Sequence, residues 1–307
     1  MRELEFGPVA MAGSVAGVVA LGLWLPTVPA VLAVLTALVL IHEGGHLVAA
    51  RRSGMHATEF FAGFGPVVVA WRTRSGLRVG LKAIPAGGYV KVVGMTGREK
   101  VDPELEARTF RAASRRNRLA VVAAGPLVNL VFGLVLLTVA AVADPFPGQA
   151  GGPLGALGTA WEGASLVTTG TVEGVGDLVT DLDGYVSTLG DPAQRADEAP
   201  ARFLSPVGVA QISDEVAADG LWTIVRLIAI VSIGLGVMNL LPLPPLDGGH
   251  ALLVGVEWLA SLVTRRPALR LDAASPGIAA ITIATLTFVL GLGASAVILD
   301  LASPVSL

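Results

Sequence analysis

The sequence predicts a polytopic α-helical membrane protein: four core transmembrane helices, an additional N-terminal one, and a small membrane-associated β-sheet on the cytoplasmic side. Three observations predict it. Hydrophobic residues fill 53% of the 307 positions, with a mean hydropathy of +0.71. Charged residues fill only 15%, against about 25% in soluble chains. The apolar residues also gather into nearly uncharged runs of roughly 20, the length a bilayer requires. These features exclude disordered, collagenous and disulfide-scaffold classes. With no cysteine in the chain, a metal site must be built from His, Asp, Glu or backbone oxygen, and thiol nucleophiles are excluded. The net charge of −3 points to no partner, and no nucleic acid is expected.

In chain order, residues 7–25 form a Gly- and Ala-rich apolar stretch that ends in the turn signal Leu25-Pro26-Thr27-Val28-Pro29. The acidic start Arg2-Glu3-Leu4-Glu5 lacks the basic n-region of a secretory signal peptide. A retained helix and hairpin are therefore expected over 1–27. The core spans are read at 28–50, 119–143, 221–243 and 277–299. Residues 51–118 carry fourteen of the twenty-one Lys and Arg, whereas residues 144–220 carry twelve acids against Arg195 and Arg202 alone. By the positive-inside rule the first segment is cytoplasmic and the second external, and Arg265, Arg266 and Arg270 return the 261–276 loop to the inside. Spans 28–50 and 221–243 then both run inward.

Between the first two core spans, Leu77, Val79, Leu81 and Ala83 alternate with Arg78, Gly80 and Lys82, the period of a strand. Turn signals at Arg74-Ser75-Gly76 and Pro85-Ala86-Gly87-Gly88 divide the region into strands at 67–73, 77–84 and 89–93. Asp102 then stands as the cap of a helix with Pro103, Glu104 and Glu106 in its first turn and Arg111, Arg115 and Arg116 near its end. This stretch is either a surface helix or a basic linker drawn to anionic lipid. Outside, residues 144–158 are a Gly/Pro linker, and Val175, Leu178, Val179, Leu182, Val186 and Leu189 share one face of an amphipathic helix.

The chemistry is read at the inner ends of the inward-running spans. His42-Glu43-Gly44-Gly45-His46 is an HExxH word: histidines at i and i+4 stack on one helix face and can share a Zn²⁺, with the intervening Glu as base. Two interfacial histidines at a helix end are the plain alternative, but Glu43 at membrane depth costs roughly 2.5–3.5 kcal/mol unless compensated. Asp247, in Asn239-Leu240-Leu241-Pro242-Leu243-Pro244-Pro245-Leu246-Asp247-Gly248-Gly249-His250, reaches a similar depth and is the candidate third ligand. Zn²⁺ with neutral His42 and His46 and ionised Asp247 and Glu43 sums to zero charge, which eases burial. The proline-broken segment also allows Asp247 to be only a helix cap, and His250 to be an outer neighbour, a rival ligand or a solvated histidine. Asn129, in Gly125-Pro126-Leu127-Val128-Asn129, and Asn239 are polar groups at lipid depth that need partners, either another helix or a bound peptide. Gly44 and Gly45 suggest close backbone approach near the metal.

Together, HEGGH, GPLVN and NLLPLPPLDGGH resemble the site-2 protease family of zinc intramembrane metalloproteases, most closely the bacterial regulator-of-sigma-E protease type. Gly63-Phe64-Gly65, the PAGGYVK stretch at 85–91 and Ser205-Pro206-Val207-Gly208 extend the likeness over most of residues 28–302. The resemblance implies zinc ligation by His42, His46 and Asp247, Glu43 as catalytic base, a substrate-handling β-region, and substrate-side positions at Asn129, Asn239, Pro242 and Pro244. It also implies a bacterial plasma-membrane endopeptidase, with its centre nearer the cytoplasmic face, that cuts single-span membrane proteins such as anti-sigma factors or signal-peptide remnants. The chain departs from that type in lacking a PDZ domain after the second core helix and in its extra N-terminal segment. A membrane metal or ion transporter built on intramembrane His and carboxylates is the alternative function.

Overall fold

The computed structural model describes residues 4–95, 99–149, 151–190, 204–264 and 275–304. The elements run β1 (Leu4–Phe6), α1 (Pro8–Trp24), α2 (Val28–Arg52), β2 (Ala57–Arg72), β3 (Arg78–Val92), a 3-10 turn (Glu106–Arg108), α3 (Arg115–Ala143), α4 (Gly152–Thr180), α5 (Leu182–Gly190), α6 (Pro206–Ala218), α7 (Leu221–Asn239), α8 (Asp247–Thr264) and α9 (Pro276–Ala302). Helices α2, α3, α7 and α9 are long and apolar enough to cross a bilayer, so the chain is a multi-pass membrane protein. Arg51 and Arg52 close α2 in its last turn, where cations meet both the negative helix end and the lipid headgroups. The apolar α1 has 17 residues, about 25 Å of helix, a few ångströms short of the hydrocarbon core. Arg195, Arg202, Arg265, Arg266 and Arg270, which enter the charge argument, lie outside the described residues.

The chain forms two compact units. One comprises Met1–Leu23, Leu32–Val128 and Asn239–Leu286 and holds an antiparallel sheet in the order β1-β2-β3. The three separate strands expected at 67–73, 77–84 and 89–93 are instead parts of two long bent strands, extended by β1. Residues of β2 near Phe61 pair on both sides, Phe61 facing Gly80 and Tyr89, while Val67 to Arg72 return along Lys82 to Arg78. Gly63 (φ +79°) and Gly65 (φ +83°) in β2, and Gly87 (φ +108°) in β3, adopt backbone conformations that only glycine reaches cheaply. Each strand thus turns a corner without leaving the ladder, so the Pro85 to Gly88 word bends β3 rather than ending it. At the N-terminus β1 pairs Leu4 with Trp71. Glu5 bonds Arg78, whose guanidinium holds the Glu5 carboxyl below its ordinary range. Helix α1 is anchored behind β1 by the Ser14 hydroxyl, which donates to the Ala83 carbonyl at 2.8 Å.

The helix expected from Asp102 does not form. Phe110 and Arg111 donate their N–H groups to the carbonyls of Val93 and Gly94 at 2.8 and 3.1 Å, pulling the chain against the end of the sheet. Only the 3-10 turn remains, with Glu106 bound to Arg111. Arg115 and Arg116 instead open α3. Phe110 joins Ala50, Met55, Val92, Val121 and Val122 in a core at this end of the unit.

The second unit comprises Trp24–Val31, Asn129–Met238 and Thr287–Leu307. The linker expected over 144–158 is shorter, because Pro153 in the first turn lets α4 begin at Gly152. The amphipathic helix read across 175–189 is interrupted at Asp181, whose carboxylate accepts the Gly184 N–H at 3.0 Å. Of its apolar face, Leu178 is buried and Leu189 packs beside it, but Val179 and Val186 are exposed. Tyr185 takes the buried place instead, its hydroxyl 2.8 Å from that of Ser295.

Ser205-Pro206-Val207-Gly208 also finds its reason in this unit. The Ser205 hydroxyl caps α6, accepting from Val207 and Gly208, and the buried Asp300 carboxylate accepts the Ser205 N–H at 2.8 Å. A Cβ at Gly208 would lie 2.5 to 2.9 Å from that carboxylate. Asp300→Ala is expected to lower stability by about 1–3 kcal/mol through the stranded N–H, and Gly208→Ala to lower it by forcing the two apart. Thermal unfolding of the detergent-solubilised variants measures both.

Candidate metal centre

One turn of α2 separates His42 from His46, and both imidazoles are buried, at 5% and 7% exposure. Asp247, the first residue of α8, comes to them from the far end of the sequence: its Oδ2 is 2.9 Å from His42 Nε2 and 3.2 Å from His46 Nε2, which are themselves 3.1 Å apart. It is presented by an irregular segment after α7, where Pro242, Pro244 and Pro245 withdraw backbone donors. Gly248 and Gly249 let this segment fold back on the start of α8; a Cβ on Gly249 would meet the Leu243 carbonyl carbon and Pro244.

His46 Nδ1 lies 2.7 Å from the Val121 carbonyl of α3, an acceptor only, so Nδ1 carries the proton and Nε2 of the neutral ring presents a lone pair. Two imidazole nitrogens and a carboxylate oxygen then face one point with at most a proton or two among them. A divalent cation satisfies all three. Around Zn²⁺ with bonds of about 2.0–2.1 Å, tetrahedral ligand atoms stand roughly 3.3 Å apart, so the 2.9 to 3.2 Å triangle fits the ion with small outward adjustment. Among the described residues these three side chains form a group able to hold a metal.

Glu43 lies beside the triangle. Its Oε2 accepts the Val90 N–H of β3 at 2.9 Å. Strand β3 runs along α2 up to this point: the Thr36 hydroxyl donates to the Pro85 carbonyl at 3.2 Å, a Cβ on Gly88 would come 3.5 Å from Val39, and Val90 reaches Glu43. The sheet edge and the acid are therefore held in one register. Gly88 to Lys91 pair only with β2, and β3 ends the sheet.

Of the glycines expected to allow close approach, Gly45 does so: a Cβ there would lie 2.6 Å from the Ala124 carbonyl oxygen. Gly44 does not; a Cβ there meets nothing within 4 Å. Gly125, quoted in the sequence only as part of GPLVN, packs directly on the imidazoles, where a Cβ would come 2.8 Å from His42 Nε2. The Val121 carbonyl and the Val90 N–H carry no sequence signal because any residue supplies them. Asn129 is fully buried, its side-chain amide without a hydrogen-bond partner among the described residues, while its carbonyl accepts from Ser232 at 2.9 Å. Asn239 ends α7. Pro244 is buried against Gly249, and Pro242 is exposed.

The model of peptidase family M50 matches residues 30–276. A candidate zinc metalloprotease of Mesorhizobium japonicum is 30% identical, over 80% of this chain and 91% of its own length. Another, of Rhizobium meliloti, is 28% identical over 76% and 87%. The zinc metalloprotease Rip1 of Mycobacterium tuberculosis is 43% identical over 100 residues, 32% of this chain and 24% of that protein.

Gly125→Ala drives a methyl group into the imidazole nitrogens and is expected to lower metal affinity about 10- to 100-fold, the range seen when supporting contacts of a metal site are lost. Chelator competition against the purified protein measures it.

Proposed function

The chain belongs to peptidase family M50 and is a zinc metalloprotease, and on that premise we propose an intramembrane endopeptidase whose zinc is held by His42, His46 and Asp247 and whose base is Glu43. Its substrates are the transmembrane segments of single-span proteins, such as anti-sigma factors or signal-peptide remnants. The observation that carries this reading is the convergence of three donor atoms, from positions 42, 46 and 247, within 3.2 Å of one another in a chain of membrane-spanning helices. The transporter alternative gives way to the family assignment.

When bound, zinc supplies Lewis acidity, making water more acidic and a peptide carbonyl more electrophilic. Glu43 takes the proton of the attacking water and returns it to the leaving amine. His42 lies 14 residues beyond Val28, about 21 Å along α2, which supports a centre within the bilayer and nearer the end of α2 that carries Arg51 and Arg52. The positive-inside rule makes that end cytoplasmic in a bacterial plasma membrane.

A transmembrane substrate hides its carbonyls in helical hydrogen bonds and must be unwound before it is cut. The edge of β3 at Gly88 to Val92 supports capture of the unwound segment as an added strand. The Val90 N–H, turned away from β2 towards Glu43, sets the substrate backbone beside the base. Asn129, Asn239, Pro242 and Pro244 are proposed substrate-side positions; the buried amide of Asn129, without a partner among the described residues, supports its inclusion. Where the related type inserts a PDZ domain, α4 and α5 stand among the described residues.

Glu43→Gln should reduce cleavage of a model single-span substrate by about 10²- to 10⁴-fold while leaving stoichiometric zinc in place. Asp247→Asn should lose the zinc. Retained cleavage by Glu43→Gln, or no cleavage of any membrane substrate by the native protein, overturns the proposal. Val90→Pro deletes one edge N–H in a position where proline is tolerated. It should slow cleavage by about tenfold or more, as expected for a misplaced catalytic group, with zinc content unchanged.

A further inference from the structure

Arg118, in the first turn of α3, and Glu257, ten residues into α8, form a two-pronged ion pair. Nη1 donates to Oε2 at 2.6 Å and Nη2 to Oε1 at 3.1 Å. Glu257 is 1% exposed and Arg118 7%, and the guanidinium lies over the Phe110 ring at 5.1 Å. Removing both charges from water is costly, and apolar side chains of similar volume often hold two helices together at least as well. Stability alone therefore does not account for the pair. A fork meeting a carboxylate sets direction as well as distance, and direction is what this part of the chain needs.

Asp247 is the one proposed zinc donor that is not on α2. Residues 240–246 leading into it are irregular, so α7 transmits no rigid orientation to α8. The aim of α8 must be set from further along its length, and Glu257 lies about 15 Å down its axis from Asp247. On the other side, Arg118 precedes Val121 by one turn of α3. The Val121 carbonyl holds His46 Nδ1 at 2.7 Å, and Gly125, another turn on, packs on the imidazole nitrogens. One short stretch of α3 thus grips both the histidine helix and the aspartate helix.

We infer that Arg118 and Glu257 are positioning residues for the zinc centre, docking α8 on α3 so that Asp247 Oδ2 reaches the Nε2 atoms of His42 and His46. This rests on the assignment of those three side chains as the zinc donors. Loss of either partner swings the aspartate away from the histidines without touching a donor.

Two measurements on the full-length protein in detergent test it. By chelator competition, Arg118→Ala and Glu257→Ala should each lower zinc affinity about 10- to 100-fold, and the swap Arg118→Glu with Glu257→Arg should restore most of it. Because the chain has no cysteine, cysteines introduced at the exposed Leu127 of α3 and Leu252 of α8 can carry spin labels. In the zinc-free protein their distance distribution should be narrow, and either alanine variant should broaden it. Should the alanine variants fail to accumulate in the membrane, Arg118→Lys and Glu257→Gln replace them, with smaller losses expected in both readouts. Native zinc affinity in the single variants, or an unchanged label distribution, overturns the inference. If the native protein binds no zinc while the label distances still respond to Glu257→Ala, the donor assignment falls and the docking of α8 stands.

Discussion

Three electron-rich atoms within 3.2 Å of one another, on side chains removed from water, are the constraint to which the rest of the unit conforms. Left without a cation, two imidazole nitrogens and a carboxylate oxygen in a low dielectric repel or trap protons; with Zn²⁺ between them the same arrangement is neutralised in part and held. The contacts around the triangle serve that approach. The Val121 carbonyl turns His46 so that Nε2 points inward. The bare Cα of Gly125 allows α3 to press on both rings, and Gly45 gives up its side chain to the Ala124 carbonyl. Small residues at a helix contact are the usual means by which membrane helices come close, and here the closeness brings α3 onto the two imidazoles.

The second constraint is that irregular backbone at membrane depth must be buried or face a wet cavity. Residues 240–246 break the helix between α7 and α8, and Gly248 and Gly249 fold that break against the start of α8, where Pro244 is buried while Leu240, Pro242, Leu243 and Pro245 stay exposed. The bend presents Asp247 at a helix N-terminus. The sheet pairs most of its backbone internally, and the edge of β3 runs along α2. Among the described residues, the Val90 N–H leaves the sheet and donates to Glu43. The sheet edge and the Glu43 carboxylate thereby meet at adjacent atoms.

Much of this was legible in residue order, and the failures have common causes. HEGGH is readable because two histidines four apart share a helix face whatever surrounds them, and Asp247 is a candidate because its span runs inward to a similar depth, while the same proline-broken segment also suits a helix cap. The helix proposed from Asp102 was misread because its cap and its end charges are local signals, overruled by the pairing of Phe110 and Arg111 with Val93 and Gly94. Pro85 to Gly88 was misread as a strand boundary because the same residues that end a strand also bend one. Gly44 and Gly45 are indistinguishable in sequence; only Gly45 faces α3. Leu178 and Val179 had equal claim to the buried face of their helix until Tyr185 packed beside Leu178.

Residue order by itself determined the membrane class, the four spans and the chemical kinds brought to the centre, since these depend on hydropathy, length and spacing along one helix. Tertiary packing alone decided that positions 46 and 247 meet, that a backbone carbonyl from Val121 selects the histidine tautomer, that Gly125 rather than Gly44 yields space, and that Arg118 finds Glu257. Each of those depends on which faces of separate helices touch, and a contact between distant segments leaves no period in the sequence of either one.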